Sequence, residues 1–122
     1  MAEVEQFTDP TGRCWVAVPA PDYVDGQRGQ RLLEACLRLM ENGVNHVAVN
    51  LELTRVVNSV GVSRLIELVE AFAKQPGASV AFCTSNPVIS KTFRIMGLAQ
   101  KASLLDSVET LRTAGPGPQE DA

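Results

Sequence analysis

Two hydrophobic periods alternate along the chain, and the switches between them mark its elements. Val4 to Thr8 and Arg13 to Val18 are short β-favouring runs; the turn cluster Asp9-Pro10-Thr11-Gly12 between them predicts a hairpin. Pro19-Ala20-Pro21-Asp22 stops the second run. From about Gln27 to Glu41, Leu32, Leu33, Cys36, Leu39 and Met40 recur at three- and four-residue spacing, with polar Arg31, Glu34 and Arg38 on the other side. That spacing predicts an amphipathic helix, which Asn42-Gly43 ends. His46 to Leu51 reads as a buried strand. A second helix runs from Ser59 or Val60 to about Lys74, with Val62, Leu65, Ile66, Val69 and Phe72 or Ala73 inward, and Pro76-Gly77 closes it. Ser79 to Cys83 is another buried strand. Asn86-Pro87 opens a third helix, proline taking the first helical position where its missing N–H does no harm. Val88, Ile89, Phe93 and Met96 are expected inward there, and Gly97 to supply a left-handed exit. Leu104-Leu105 is a short last strand, and Asp106-x-x-Glu109 reads as a capping box with Asp106 as cap for a helix to about Thr113.

The order β-β-α-β-α-β-α-β-α is an α/β pattern. Strands alternating with helices at short intervals require parallel pairing through right-handed crossovers, and the opening hairpin makes the sheet mixed. Residues 1–113 are expected to form a single domain, and 114–122, with Gly115-Pro116-Gly117-Pro118, a solvated, disordered tail.

Bulk properties narrow the function classes. A chain of 122 residues supports one core without staples. A net charge of −3 with interspersed signs gives no footprint for nucleic acid, and no apolar run is long enough for insertion into a membrane. The start Met1-Ala2-Glu3-Val4-Glu5 has no signal-peptide core, so a cytoplasmic location is expected. Cys14, Cys36 and Cys83 lack paired spacing and read as small buried hydrophobes; no metal site or cofactor is implied.

Catalytic chemistry is hard to assemble. His46 stands alone at a strand start, and no glycine-rich nucleotide loop occurs. Cys83 precedes a helix start, where a thiolate could be favoured, but Thr84-Ser85-Asn86-Pro87 offers no cation to hold one. A small α/β enzyme using Cys83 or Ser59 is therefore the weakest of the functional readings, and the chain is not expected to be an enzyme.

One loop is unusual. Glu52-Leu53-Thr54-Arg55-Val56-Val57-Asn58-Ser59-Val60-Gly61-Val62 joins a strand end to a helix, the position where α/β sheets concentrate their sites. Asn58 or Ser59 serves as an N-cap in the plainer account. In the sharper account Ser59 is an exposed hydroxyl whose phosphate would meet free N–H groups and the positive end of the helix dipole. Gly61 in the first turn costs helix propensity and points to a close backbone approach or to packing.

The stretch from Val47 to Val62 resembles the signature of STAS domains: a hydrophobic strand, D-L-S, a spacer, then D-S-[ST]-G-[LIV]. The resemblance continues through Ala78 to Cys83, Asn86-Pro87-Val88, Met96-Gly97-Leu98 and Ser107-Val108-Glu109-Thr110-Leu111, covering about residues 13–113. It implies a mixed four- to five-stranded sheet with helices mainly on one face. It also implies a protein-binding module of a bacterial partner-switching pathway, similar to anti-sigma-factor antagonists. Such proteins bind an anti-sigma factor or serine kinase that phosphorylates the serine matched here by Ser59, and phosphorylation switches the complex off. The expected partner surface comprises Asn58, Ser59, Val60, Ser63, Arg64 and Glu67 with Thr84, Ser85 and Asn86. Asn50 and Asn58 stand where the motif has aspartate, and Val60 follows the serine. Loss of those acids favours a second reading, a constitutive scaffold subunit of a sensory complex or lipid transporter.

Overall fold

A computed structural model describes residues 3–117. β1 (Glu5–Thr8) and β2 (Cys14–Pro19) form the expected hairpin; β4 (His46–Asn50), β6 (Ser79–Cys83) and β7 (Ser103–Leu105) extend it in the order β1-β2-β4-β6-β7. Only β1 is antiparallel. The helices are α1 (Gly26–Glu41), α2 (Ser59–Ala73), α3 (Pro87–Ile95), the single turn α4 (Leu98–Lys101) and α5 (Val108–Ala114). A separate ribbon pairs β3 (Tyr23–Val24) with β5 (Val56–Val57) in parallel. Strand alternation divides the sheet into two faces. Val16, Val18, Val47, Val49, Val80 and Phe82 meet α1 to α4, while Trp15, Ala17, Ala48 and Ala81 meet Val108 and Leu111 of α5. Ala17, Ala48 and Ala81 lie side by side on neighbouring strands, a flat floor that lets the short α5 approach closely. The mixed sheet with helices mainly on one face is thus as expected.

Several local expectations are corrected. Leu68 joins Val62, Leu65, Val69 and Phe72 in the core, whereas Ala73 is exposed and Ile66 only half-buried. In α3 only Ile89 and Phe93, four residues apart, reach the core; Val88 and Met96 are exposed. Val88 lies off the single stripe of this short helix, and Met96 is its C-cap, beyond the last helical residue. The cap of α5 is Ser107, whose Oγ accepts from Thr110 N at 3.0 Å, and not Asp106. Cys14 is exposed on the edge hairpin, while Cys36 and Cys83 are buried. The helix expected to end near Thr113 runs to Ala114, and Gly115 and Pro116 are buried; residues 118–122 of the expected tail lie outside the described residues.

Asp9 pins the hairpin turn. Its buried carboxylate accepts from Thr11 N (2.7 Å), Thr11 Oγ1 (2.5 Å), Arg13 N (3.1 Å) and the buried Trp15 Nε1 (2.8 Å). Burial opposes its ionisation, but these hydrogen bonds outweigh burial and hold its pKa below the ordinary carboxylate value. In Asp9→Asn one of the two carboxylate oxygens becomes an NH2 facing another donor, at a cost of about 2–3 kcal/mol. A depressed folded-state pKa gives stability that is present above the unfolded value of about 3.9 and lost as pH falls through the lower folded value. Urea unfolding at pH 7 should therefore separate wild type from Asp9→Asn clearly, and the gap should narrow below about pH 4. A gap independent of pH would assign the cost to packing alone.

Candidate functional site

The loop from Asn50 to Ser59 leaves the sheet at the C-terminal end of β4 and is fastened to three other segments of the chain. Asn50 Oδ1 accepts from Glu52 N at 3.0 Å, turning the backbone with an amide where the motif has an acid. Glu52 Oε2 accepts from Val108 N at the start of α5 (3.1 Å). Buried Thr54 donates its hydroxyl to Pro21 O (2.8 Å), and Arg55 N donates to Asp22 O (2.8 Å). Asn86 Nδ2 donates to Arg55 O (3.4 Å), and Asn58 N to Val24 O (3.0 Å).

The two accounts of Asn58-Ser59 separate here. Asn58 is the N-cap of α2: its backbone is extended, and Oδ1 accepts from Gly61 N at 2.8 Å. Its Nδ2 donates to Tyr23 OH at 3.2 Å. Ser59 is the first helical residue and exposed, and its hydroxyl makes no hydrogen bond among the described residues. The helix start thus owes its cap to the amide and leaves the serine hydroxyl to solvent. Gly61 is placed by a close approach: a Cβ there would lie 2.3 Å from Val24 O.

The remaining expected surface residues divide. Val60 and Ser63 are exposed, and Ser63 Oγ donates to Ser59 O. Arg64 lays its stem over Gly29 of α1 and pairs through Nη1 with Glu67 at 3.1 Å, so it also holds two helices together. Ser85 is exposed and Asn86 caps α3, accepting from Val88 N at 2.9 Å. Thr84 lies beneath this surface, buried, with Oγ1 accepting from Asn86 N. It continues a strand buried on both faces, so its neighbours in sequence were a poor guide to exposure. What sequence reasoning missed is apolar: Tyr23, Leu53, Val56 and Val88 are exposed at this end. Tyr23 and Val56 are register partners on the β3–β5 ribbon and share its outward side, and Val56 and Val88 line one shallow hollow. Leu53 and Val56 sit in a loop that no core period absorbs, which was the available signal.

The STAS domain family model matches residues 6–111 of the chain. The chain belongs to the STAS domain family. No curated protein matches it. As a STAS domain it belongs with protein-interaction modules. Cys83 is buried, and burial first, then the Glu52 carboxylate, push its thiol up to about 12. His46 sits at the opposite end of the STAS sheet, four residues along β4 from Asn50, the partner of Cys83. That separation is about 13 Å at 3.3 Å per residue. His46 instead shares a hydrogen bond through Nδ1 with Ser79 Oγ (2.7 Å) and is held below its usual pKa by burial and then Arg13. Among the described residues no His, Cys, Asp and Glu groups gather as metal ligands, and no helix is long and apolar enough to cross a membrane.

Proposed function

We propose that this STAS domain is an anti-sigma-factor-antagonist-like module of a partner-switching pathway, and that Ser59 is its phosphorylation site. The observation that carries this reading is the division of labour at the start of α2. Asn58 supplies the cap, and the exposed Ser59 hydroxyl is left without a structural task. The partner face consists of Asn58, Ser59, Val60 and Ser63 with Arg64 and Glu67 beside them, Ser85 and Asn86 at the start of α3, and exposed Tyr23, Leu53, Val56 and Val88. An apolar centre rimmed by polar groups and ion pairs is the usual composition of a protein interface. The partner is an anti-sigma factor or serine kinase.

A constitutive scaffold is the second reading, and one observation favours it. Asn50 and Asn58 meet the local hydrogen-bonding demands with amides, so the fold retains no need for the two acids of the motif. Phosphopeptide mapping of the protein isolated from its own cells tests the acceptor. Phosphate on Ser59, absent from Ser59→Ala, is expected; phosphate confined to another hydroxyl, or none under any growth condition, overturns the switch.

A further inference from the structure

A second concave site lies on the other flank of α1. β1 pairs only as far as Ala17, so among the described residues no strand covers the outer edge of β2 at Val18 and Pro19. Val18, Pro19, Pro21 and Leu32 line the hollow between this edge and α1, which has a volume of about 280 Å³ and takes Arg28 and Arg31 as its polar wall. Such a space holds roughly nine waters at the liquid's share of volume, the lower end of small-ligand sites.

We propose that this groove binds a small organic monocarboxylate with an aliphatic or aromatic body. The charge count selects one negative charge. Arg28 already pairs with Asp25 at 2.8 Å, whereas Arg31 is exposed and makes no ion pair among the described residues. Two guanidiniums and one carboxylate leave a single positive charge to satisfy. A guanidinium offers parallel N–H donors that match a carboxylate, while the prolines, Val18 and Leu32 offer only apolar contact to the rest of the ligand. Pro19 has no N–H to donate, so an added peptide strand finds no ladder at this position. The site is independent of Ser59 and of the reading given above for it.

The test is titration of the isotope-labelled protein with hexanoate, followed by NMR at the methyl groups of Val18, Leu32 and Ala35. Saturable shifts at these groups are expected, with hexanol and acetate each binding at least about tenfold more weakly, about 1.4 kcal/mol. Arg31→Glu should abolish the hexanoate response. Ala35→Met should abolish it by filling the hollow with the charges left in place; Ala35 also lines it. Both positions are outside the fully buried core, and an unchanged amide spectrum elsewhere verifies folding. Equal binding of hexanol and hexanoate, saturable shifts confined to other residues, or no saturable shift overturns the proposal. Perturbation of the groove by a partner protein while hexanoate is silent overturns it in favour of a docking surface.

Discussion

Ser59→Glu is expected to weaken the complex with the native partner about 100-fold, close to 2.8 kcal/mol, while leaving the domain's melting temperature nearly unchanged. The hydroxyl is exposed and makes no internal hydrogen bond among the described residues, so its replacement removes nothing the fold uses. A negative charge at the first position of α2 is mildly stabilising, by about 0.3–1 kcal/mol. The same charge inside a closed interface must shed its water opposite Val60 and Asn58, which supply no countercharge. That desolvation costs several kcal/mol and falls wholly on the complex. Ser59→Ala removes the acceptor without adding charge and should bind within about twofold of wild type, roughly 0.4 kcal/mol. Affinities measured beside thermal unfolding decide the matter. Equal binding by wild type, alanine and glutamate variants would make the scaffold the better account.

The largest expected effect on stability is at Gly61. A Cβ added there meets Val24 O at 2.3 Å and Val24 C at 3.0 Å, both backbone atoms held in the β3–β5 ribbon. Relief requires α2 to move away from the ribbon, breaking the Asn58 N to Val24 O bond beside it. We expect Gly61→Ala to cost about 3 kcal/mol despite the gain of about 1 kcal/mol in helix propensity, lowering the melting temperature by about 10 °C. Gly29→Ala is the milder companion: its Cβ would meet Arg64 Cγ at 3.0 Å, Arg64 Cβ at 3.1 Å and Gly61 Cα at 3.4 Å, contacts relieved by a shift of a few tenths of an ångström between α1 and α2. Thermal unfolding of the pair should show a large loss for the first and a clearly smaller one, about 1–2 kcal/mol, for the second.

Elements that bury a long periodic face were legible in the sequence. The helix expected from about Gln27 to Glu41 and the strand from Ser79 to Cys83 appear as α1 and β6 with little or no change of boundary. The ribbon of β3 and β5 escaped notice because two residues carry no period, and its hydrogen bonds join Tyr23 to Val56 across a helix and a strand. The cap of α5 was misplaced because Asp106 and Ser107 are adjacent capping residues, and only the chain direction leaving β7 chooses between them. At the site, the sequence marked Asn58 and Ser59 but left the cap ambiguous; the hydrogen bond from Gly61 N to Asn58 resolves it. The apolar surface at Tyr23, Leu53, Val56 and Val88 was invisible as a unit because its members come from three separated segments.

The fastening of the Asn50–Ser59 loop to Pro21, Asp22, Val24, Asn86 and Val108 has a kinetic consequence. A surface held this way has little backbone freedom left to lose when a partner arrives, so the ordering cost of association is already met within the free domain. Encounter then needs alignment but no refolding of the loop, and complexes of related partners should differ mainly in how long they persist. On such a surface a charge added at Ser59 would act chiefly by shortening the lifetime of the complex, with the rate of meeting almost unchanged.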